Sequence, residues 1–184
     1  MHSYHDVHGR LPAAVVYGED GKPLLSWRVL ILPFIEQEAL FRRFKLDEPW
    51  DSPHNLRLLP EMPRVFFPFD GSSPAQPHNT FYQVFVGKGA AFEGKMGLRW
   101  EDFTDGTPNT FLVVEAGQAV PWTSPQDLTY GAGLPLPKLG GLFKASFRAG
   151  FGDGSVRTIS QDISEATLRG AITRNGNDKF GDDW

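Results

Sequence analysis

No helix is predicted between consecutive strand candidates of this chain. This order of elements restricts the possible folds more strongly than any other feature of the sequence. Residues 80–86 and 110–115 are runs of aromatic and β-branched residues bounded by turn residues. Residues 147–151 and 155–159 flank an Asp-Gly turn, which predicts a hairpin. Parallel neighbours would need long crossover connections, usually helices. The order therefore predicts an antiparallel β-sheet packed against helices, an α+β fold rather than a doubly wound α/β fold.

Two helical regions are predicted, one on each side of the strand candidates in the sequence. Ser26 is a good N-cap for a short helix or turn that reaches about residue 32. Pro33 is suited to the first position of a longer helix over 33–44. Near the C-terminus, a helix is predicted from Ser164, ending before Gly176. The first region has apolar residues at helical spacing: Trp27, Leu30, Ile31, Phe34, Ile35, Leu40, Phe41 and Phe44.

Proline and glycine make the chain rich in loops. The sequence contains 15 prolines and 20 glycines, which predict short elements joined by turns. Residues 1–25 are polar and contain signals for a turn or short hairpin. Residues 47–79 and 117–142 are expected to be irregular, with a short helix near 55–59 and an extended segment over 64–67.

The composition excludes several classes of function. The length of 184 residues fits one domain, residues 1–184, large enough to bury a core without disulfides. The absence of cysteine excludes a disulfide scaffold, a thiolate zinc site and a cysteine nucleophile. A net charge of -4 disfavours nucleic acid as a partner, since a binding face for phosphates is basic. For the one local basic cluster, residues 42–45, we expect a solvated helix face rather than a binding patch.

No motif in the sequence predicts catalysis. On a helix, His2 and His5 would lie on one face and could hold a metal with Asp6. Gly9 and Pro12 would end a helix there, so an exposed polar segment that includes His8 is expected instead. The nucleophile elbow, the P-loop and the His-Glu-x-x-His motif are all missing from the sequence. The chain is therefore predicted not to be an enzyme, with no catalytic and no cofactor-binding residues. The enzyme alternative would need clustered carboxylates, for instance Glu115 with Asp102 or Asp105.

The acidic tail is the strongest candidate for a metal site. Oxygen-bearing side chains lie close together there, next to glycines that permit tight turns, and Ca²⁺ takes six to eight such oxygens. Asp178, Asp182 and Asp183 are the predicted ligands, with Asn175 and Asn177 nearby. The spacing does not match an EF-hand loop. A solvated acidic tail is the alternative, and no other cofactor is expected.

Several segments together resemble one known family. They are Tyr4-His5-Asp6, His8-Gly9-Arg10-Leu11-Pro12, Asp20-Gly21-Lys22-Pro23-Leu24-Leu25-Ser26-Trp27-Arg28-Val29, Leu32-Pro33-Phe34-Ile35-Glu36-Gln37, Leu46-Asp47-Glu48-Pro49-Trp50-Asp51-Ser52-Pro53-His54-Asn55, Asp105-Gly106-Thr107-Pro108-Asn109-Thr110 and Phe151-Gly152-Asp153-Gly154-Ser155-Val156. Their order along the whole chain is similar to that of the DUF1559 family of pilin-like proteins, which is greatly expanded in planctomycete bacteria.

The resemblance implies the architecture of a type IV pilin or a type II secretion pseudopilin. Family members begin with a hydrophobic helix that anchors the subunit and forms the core of an assembly. This chain is then expected to be a pilin-like head from which that N-terminal helix is absent. The implied function is a non-enzymatic structural subunit of the cell envelope, exported and anchored by the absent helix. Its implied partners are other pilin-like subunits bound through that helix, so the isolated head is expected to be monomeric.

One departure and one alternative accompany this resemblance. The family often carries a histidine ten residues before the Asp-Gly turn, and Phe143 stands at that position here.

The alternative function is an extracytoplasmic binding module, which would bind a glycan or peptide through aromatic, Pro-rich loops. Exposed side chains of Trp122 and Tyr130 would favour that function. Four features are expected to be structural, with the two tryptophans as core anchors: Trp27, Pro33, Trp50 and the Asp153-Gly154 turn.

Overall fold

The computed structural model describes residues 1–68, 76–143 and 145–177. The α-helices are α1 (His2–His8), α2 (Trp27–Leu30), α3 (Glu38–Phe41) and α4 (Glu165–Ile172). The strands are β1 (Val15–Tyr17), β2 (Pro23–Ser26), β3 (Asn79–Gln83), β4 (Phe85–Val86), β5 (Phe111–Pro121), β6 (Leu128–Thr129), β7 (Ser146–Phe151) and β8 (Val156–Ser160). Short 3₁₀ helices cover Leu32–Ile35, Asn55–Glu61, Arg64–Phe66, Trp100–Asp102 and Thr107–Asn109.

A four-stranded antiparallel sheet in the order β3-β5-β7-β8 is the centre of the fold. Strand β7 alternates strictly, with Phe147, Ala149 and Phe151 buried and the residues between them half-buried. Successive side chains of a strand point to opposite faces, so these three lie on one face of the sheet. They form a sheet cluster with Ile159 of β8 and Ile172 of α4. The α+β fold predicted from the sequence is confirmed.

The hairpin between β7 and β8 forms where the sequence predicts it. Gly154 has a φ of 86°, which favours glycine, and its N–H donates to the carbonyl of Phe151. Asp153 Oδ1 accepts from both the N–H and the hydroxyl of Ser155, at 2.9 and 2.7 Å. These local bonds also lower the pKa of Asp153. The turn is therefore fixed by its own residues.

A second and larger core, the main cluster, fills the N-terminal half of the fold. Its centre holds Leu25, Trp27, Leu32, Phe66 and Trp122, all buried. The rings of Phe66 and Trp122 stack at 5.6 Å, and the ring of Trp27 meets Phe66 edge-on at 6.3 Å. Segments far apart in the sequence are joined by these aromatic contacts.

The predicted long helix over 33–44 is wrong. Pro33 does lie in the first turn of the 3₁₀ helix Leu32–Ile35, but Glu36 adopts a left-handed φ of 62° and ends it. Helix α3 then covers Glu38–Phe41 alone. Leu32 and Leu40 are both buried in the main cluster, so tertiary packing outweighs the helical periodicity.

Three other expectations for the loops need correction. The extended segment predicted over 64–67 is the 3₁₀ helix Arg64–Phe66. Strand β5 continues to Pro121, into the loop predicted over 117–142. Residues 2–8 form helix α1, and Gly9 is its left-handed C-cap with a φ of 68°. Glycine thus ends the helix as expected, but it does not prevent one from forming.

Across residues 1–68, 76–143 and 145–177, every helix is too short or too polar to cross a lipid bilayer.

Candidate functional site

An apolar groove of about 340 Å³, called the sheet groove below, lies on the sheet face opposite the sheet cluster. Val113 of β5 is paired with Gly150 of β7, and Gly150 is paired with Val156 of β8. These cross-strand neighbours share one face, the face that Phe147 and Phe151 do not occupy. The groove is lined by Met1, Trp27, Ile31, Val65, Phe66, Tyr82, Val113, Arg148, Gly150 and Val156.

The two valines at the edges of the sheet groove are unusually exposed. Val65 is 58% exposed and Val156 is 69% exposed, whereas the other face of the same sheet is covered by helix α4. Gly150 leaves the middle of the groove open, because a Cβ placed there would meet only the carbonyl oxygen of Val113, at 3.8 Å. A sheet normally buries its apolar faces against another layer. The groove is therefore an apolar part of this sheet face that the described residues leave uncovered.

Helix α1 starts at the sheet groove. Met1 lines the groove and packs partly against the main cluster. The His2 ring stacks on Trp100 at 4.8 Å, and its Cε1 atom lies 3.6 Å from where a Cβ of Gly154 would be. The start of α1 therefore sits beside the turn between β7 and β8, with its first residue in the groove.

The histidines of α1 make aromatic contacts. His5 lies 5.3 Å from Trp100, and His8 contacts the rings of Tyr4 and Phe34. His2 and His8 are nevertheless exposed and His5 is half-buried, and α1 has no fully buried residue, so the expectation of an exposed segment is confirmed. Within the part of the chain that the structure describes, no group of three or more metal-ligating side chains is present. The predicted calcium ligands Asp178, Asp182 and Asp183 lie outside the described residues.

A buried ion pair fixes two residues that line the sheet groove. Arg28 donates from Nη2 to Asp127 Oδ1 at 2.9 Å, and both side chains are essentially fully buried. The same carboxylate oxygen accepts from Trp27 Nε1 at 3.3 Å and from the Val84 N–H at 2.9 Å. Arg28 Nε donates to the carbonyl of Tyr82 at 2.9 Å. The ion pair therefore ties helix α2 to strand β3 and to the loop before β6.

Burial and attraction act in opposite directions on this pair. Burial raises the pKa of Asp127, while the charge of Arg28 and the donated hydrogen bonds lower it. Burial likewise lowers the pKa of Arg28, which the charge of Asp127 opposes. Arg28 stands between Trp27 and Val29 in an otherwise apolar run, and an arginine in such a position is a sequence signal for a buried, paired charge.

Each carboxylate that the enzyme alternative would need accepts backbone hydrogen bonds. Glu115 is buried in β5 and accepts from an N–H of β7 at 2.9 Å. Asp102 accepts from the N–H that precedes its own 3₁₀ helix, at 2.8 Å. Asp105 accepts from two successive N–H groups after α4, at 2.6 and 3.0 Å. These contacts give the three side chains structural roles.

The aromatic side chains named for the binding-module alternative are buried. Trp122 is 0% exposed and donates from Nε1 to the carbonyl of Leu59, and Tyr130 is 7% exposed in the sheet cluster. The exposure that would favour a binding module is therefore not found at these two residues, because each fills a core. Trp27 is a core residue as expected, and Trp50 is half-buried against the main cluster.

Phe143 lies near the sheet groove. The guanidinium carbon of Arg148, which lines the groove, is 5.7 Å from the centre of the Phe143 ring. This distance permits a cation–π contact between Arg148 and Phe143 at the side of the groove.

Comparison with known proteins supports the family resemblance. Residues 1–66 match a family model described as "Protein of unknown function (DUF1559)". The match confirms the DUF1559 resemblance seen in the sequence, and it includes α1, the β1–β2 hairpin and the helices that bury Trp27. Because the family has no defined function, the match assigns no activity. No curated protein and no solved structure matches the chain significantly.

Proposed function

We propose that this chain is the head of a pilin-like protein of the cell envelope and that it acts as a structural subunit. The observation that carries this proposal is the sheet groove, an apolar and open part of one sheet face at the start of helix α1. In the proposed subunit, a hydrophobic helix preceding α1 lies in this groove. The DUF1559 resemblance supports the existence of such a helix, and the open, apolar groove supports its proposed position on the head.

The groove has the chemistry that a helix of this kind needs. An apolar side chain moved from water into contact with Val65, Val113 and Val156 is stabilised by about 25 cal/mol for each Å² of apolar surface removed from water. A helix covers a stripe about 10 Å wide, which matches two adjacent strand spacings of the sheet. The two sheet faces would then each carry a helix, α4 on one and the preceding helix on the other.

Export and assembly follow from the same proposal. The head is proposed to be displayed outside the cytoplasm, and neighbouring subunits are proposed to associate through their hydrophobic helices. The isolated head then remains monomeric. No catalytic step is assigned to it, and the carboxylates considered for an enzyme have backbone partners that account for their positions.

The proposal predicts how the protein is processed. We expect that expression of the gene with its upstream DNA, in a bacterium with a prepilin peptidase, yields a product in the envelope fraction. N-terminal sequencing of that product should show a processed hydrophobic segment ahead of α1. A product that begins at Met1 and remains in the cytoplasmic fraction would contradict the pilin-like role.

A further inference from the structure

The charged residues that line a second cleft, of about 460 Å³, are all basic. It lies between the segment after α3 and the 3₁₀ helix Asn55–Glu61. Four of its seven lining residues carry a permanent positive charge: Arg42, Arg43, Lys45 and Arg57. His54 adds an imidazole, and the remaining lining residues are Phe44 and Leu58. This concentration stands out in a chain with a net charge of -4.

Only the first part of this cleft is visible as a cluster in the sequence. Residues 42–45 were expected to form a solvated helix face, but helix α3 ends at Phe41, before them. The fold then brings His54 and Arg57 beside them from the next element. A basic run along the sequence thus becomes a basic cleft with two walls.

The two walls are held together by a buried asparagine. Asn55 is 0% exposed; its Nδ2 donates to the carbonyl of Lys45 at 2.9 Å, and its Oδ1 accepts from the Lys45 N–H at 3.0 Å. His54 Nε2 lies 2.8 Å from the carbonyl oxygen of Arg43. Phe44 and Leu58 are buried beneath the cleft. The fold therefore positions the positive groups beside two buried apolar side chains.

Three of the four cations already have carboxylate partners at the rim. Arg42 pairs with Glu38 at 2.6 Å, Lys45 pairs with Glu48 at 2.6 Å, and Arg43 forms a two-pronged pair with Glu61. These pairs are solvent-exposed, so each contributes little to stability. Within the described chain, Arg57 is exposed and its guanidinium shows neither an ion pair nor a hydrogen bond.

We propose that this cleft binds a phosphate monoester, with Arg57 as the principal anchor. A ligand with a single carboxylate would only replace a rim carboxylate at one of the paired cations, and it would bring no additional negative charge to that cation. A phosphate monoester carries about -1.5 to -2 charges at pH 7 and three acceptor oxygens, so it adds attraction that the rim carboxylates do not provide. The planar fork of arginine fits phosphate oxygens in pairs. The volume of the cleft also suits a small phosphorylated molecule or a lipid headgroup.

The test compares three variants, for which the affinity is expected to fall, to rise and to stay unchanged. Arg57→Gln removes the anchor, and the affinity for glucose 6-phosphate, measured by calorimetry, is expected to fall about tenfold. Glu61→Gln releases Arg43 from its carboxylate, so the affinity should rise. Arg64→Gln is the matched control, since Arg64 is also an exposed arginine but lies outside the cleft, and it should leave the affinity unchanged. Thermal unfolding of each variant checks that the fold is intact.

The phosphate monoester could belong to a soluble molecule or to a lipid headgroup, and two different probes distinguish these sources. Binding of glucose 6-phosphate with this variant pattern supports a soluble ligand. Binding to phosphatidylcholine vesicles only when they contain phosphatidic acid, with the same pattern, supports a lipid headgroup. Equal weakening by Arg57→Gln and Arg64→Gln would reveal an effect of net charge alone and would overturn the proposal. Absence of binding to both probes would also overturn it.

Discussion

Replacing Arg28 by methionine is expected to destabilise the fold by about 3–5 kcal/mol, because it leaves the carboxylate of Asp127 buried without its counter-charge. The variant also loses the hydrogen bonds from Arg28 to the Tyr82 carbonyl and to Ser26 Oγ. The destabilisation is measured as the difference between the free energies of unfolding of the two proteins in urea at pH 7. The double variant Arg28→Met/Asp127→Asn removes both charges, so its cost should be smaller than the sum of the two single costs by about 0.5–3 kcal/mol.

The Arg28→Met variant should also change how stability depends on pH. Without Arg28, the attraction that lowers the pKa of Asp127 is lost and burial raises that pKa further. A pKa raised above its unfolded value stabilises the fold at low pH, and this contribution is lost as pH rises through the folded pKa. The destabilisation by Arg28→Met should therefore be smaller at pH 4 than at pH 7. An equal destabilisation at both pH values would contradict the assigned role of Asp127, and the double variant serves as the control.

Replacing Val156 by aspartate is expected to abolish docking at the sheet groove while leaving the head folded. Val156 is 69% exposed, so the stability of the 184-residue chain should change by no more than about 0.5 kcal/mol. In the proposed subunit with a hydrophobic helix ahead of α1, the same carboxylate would be buried against that apolar helix, which costs several kcal/mol. The amount of the subunit recovered in envelope assemblies should therefore fall about tenfold or more.

A matched control separates this effect from that of a new surface charge. Met96 is 68% exposed and lies outside the sheet groove. Met96→Asp should leave both the stability and the amount of assembled subunit unchanged. Equal losses of assembly in Val156→Asp and Met96→Asp would show that docking at the groove is not the cause.

The features predicted correctly from the sequence are those fixed by neighbouring residues. The β7–β8 turn depends on Asp153, Gly154 and Ser155, which bond to one another. Helix α4 begins as predicted because Ser164 accepts a hydrogen bond from the Thr167 N–H, as an N-cap does. The α+β class followed from the order of the strands alone.

The features missed from the sequence depend on residues far apart in the chain. The left-handed Glu36 breaks a periodic helical pattern because Leu32 and Leu40 both reach the main cluster. Trp122 lies in a segment expected to be an irregular loop, yet its indole N–H donates to a carbonyl 63 residues away and its side chain is buried. The sheet groove combines Met1, Val65 and Val156, which no local pattern connects. Tertiary placement of this kind is not encoded in spacing or propensity.

The labelling rate of a single cysteine at position 156 tests the central claim most directly. The chain has no cysteine, so Val156→Cys provides a unique thiol in the sheet groove, and Met96→Cys provides one outside it. In the 184-residue chain, both thiols should react rapidly with a maleimide. In the proposed subunit, with a hydrophobic helix ahead of α1, Cys at position 156 should react about tenfold or more slowly, because that helix would cover it, while Cys at position 96 keeps its rate. Equal labelling rates at position 156 in the two proteins would contradict the account.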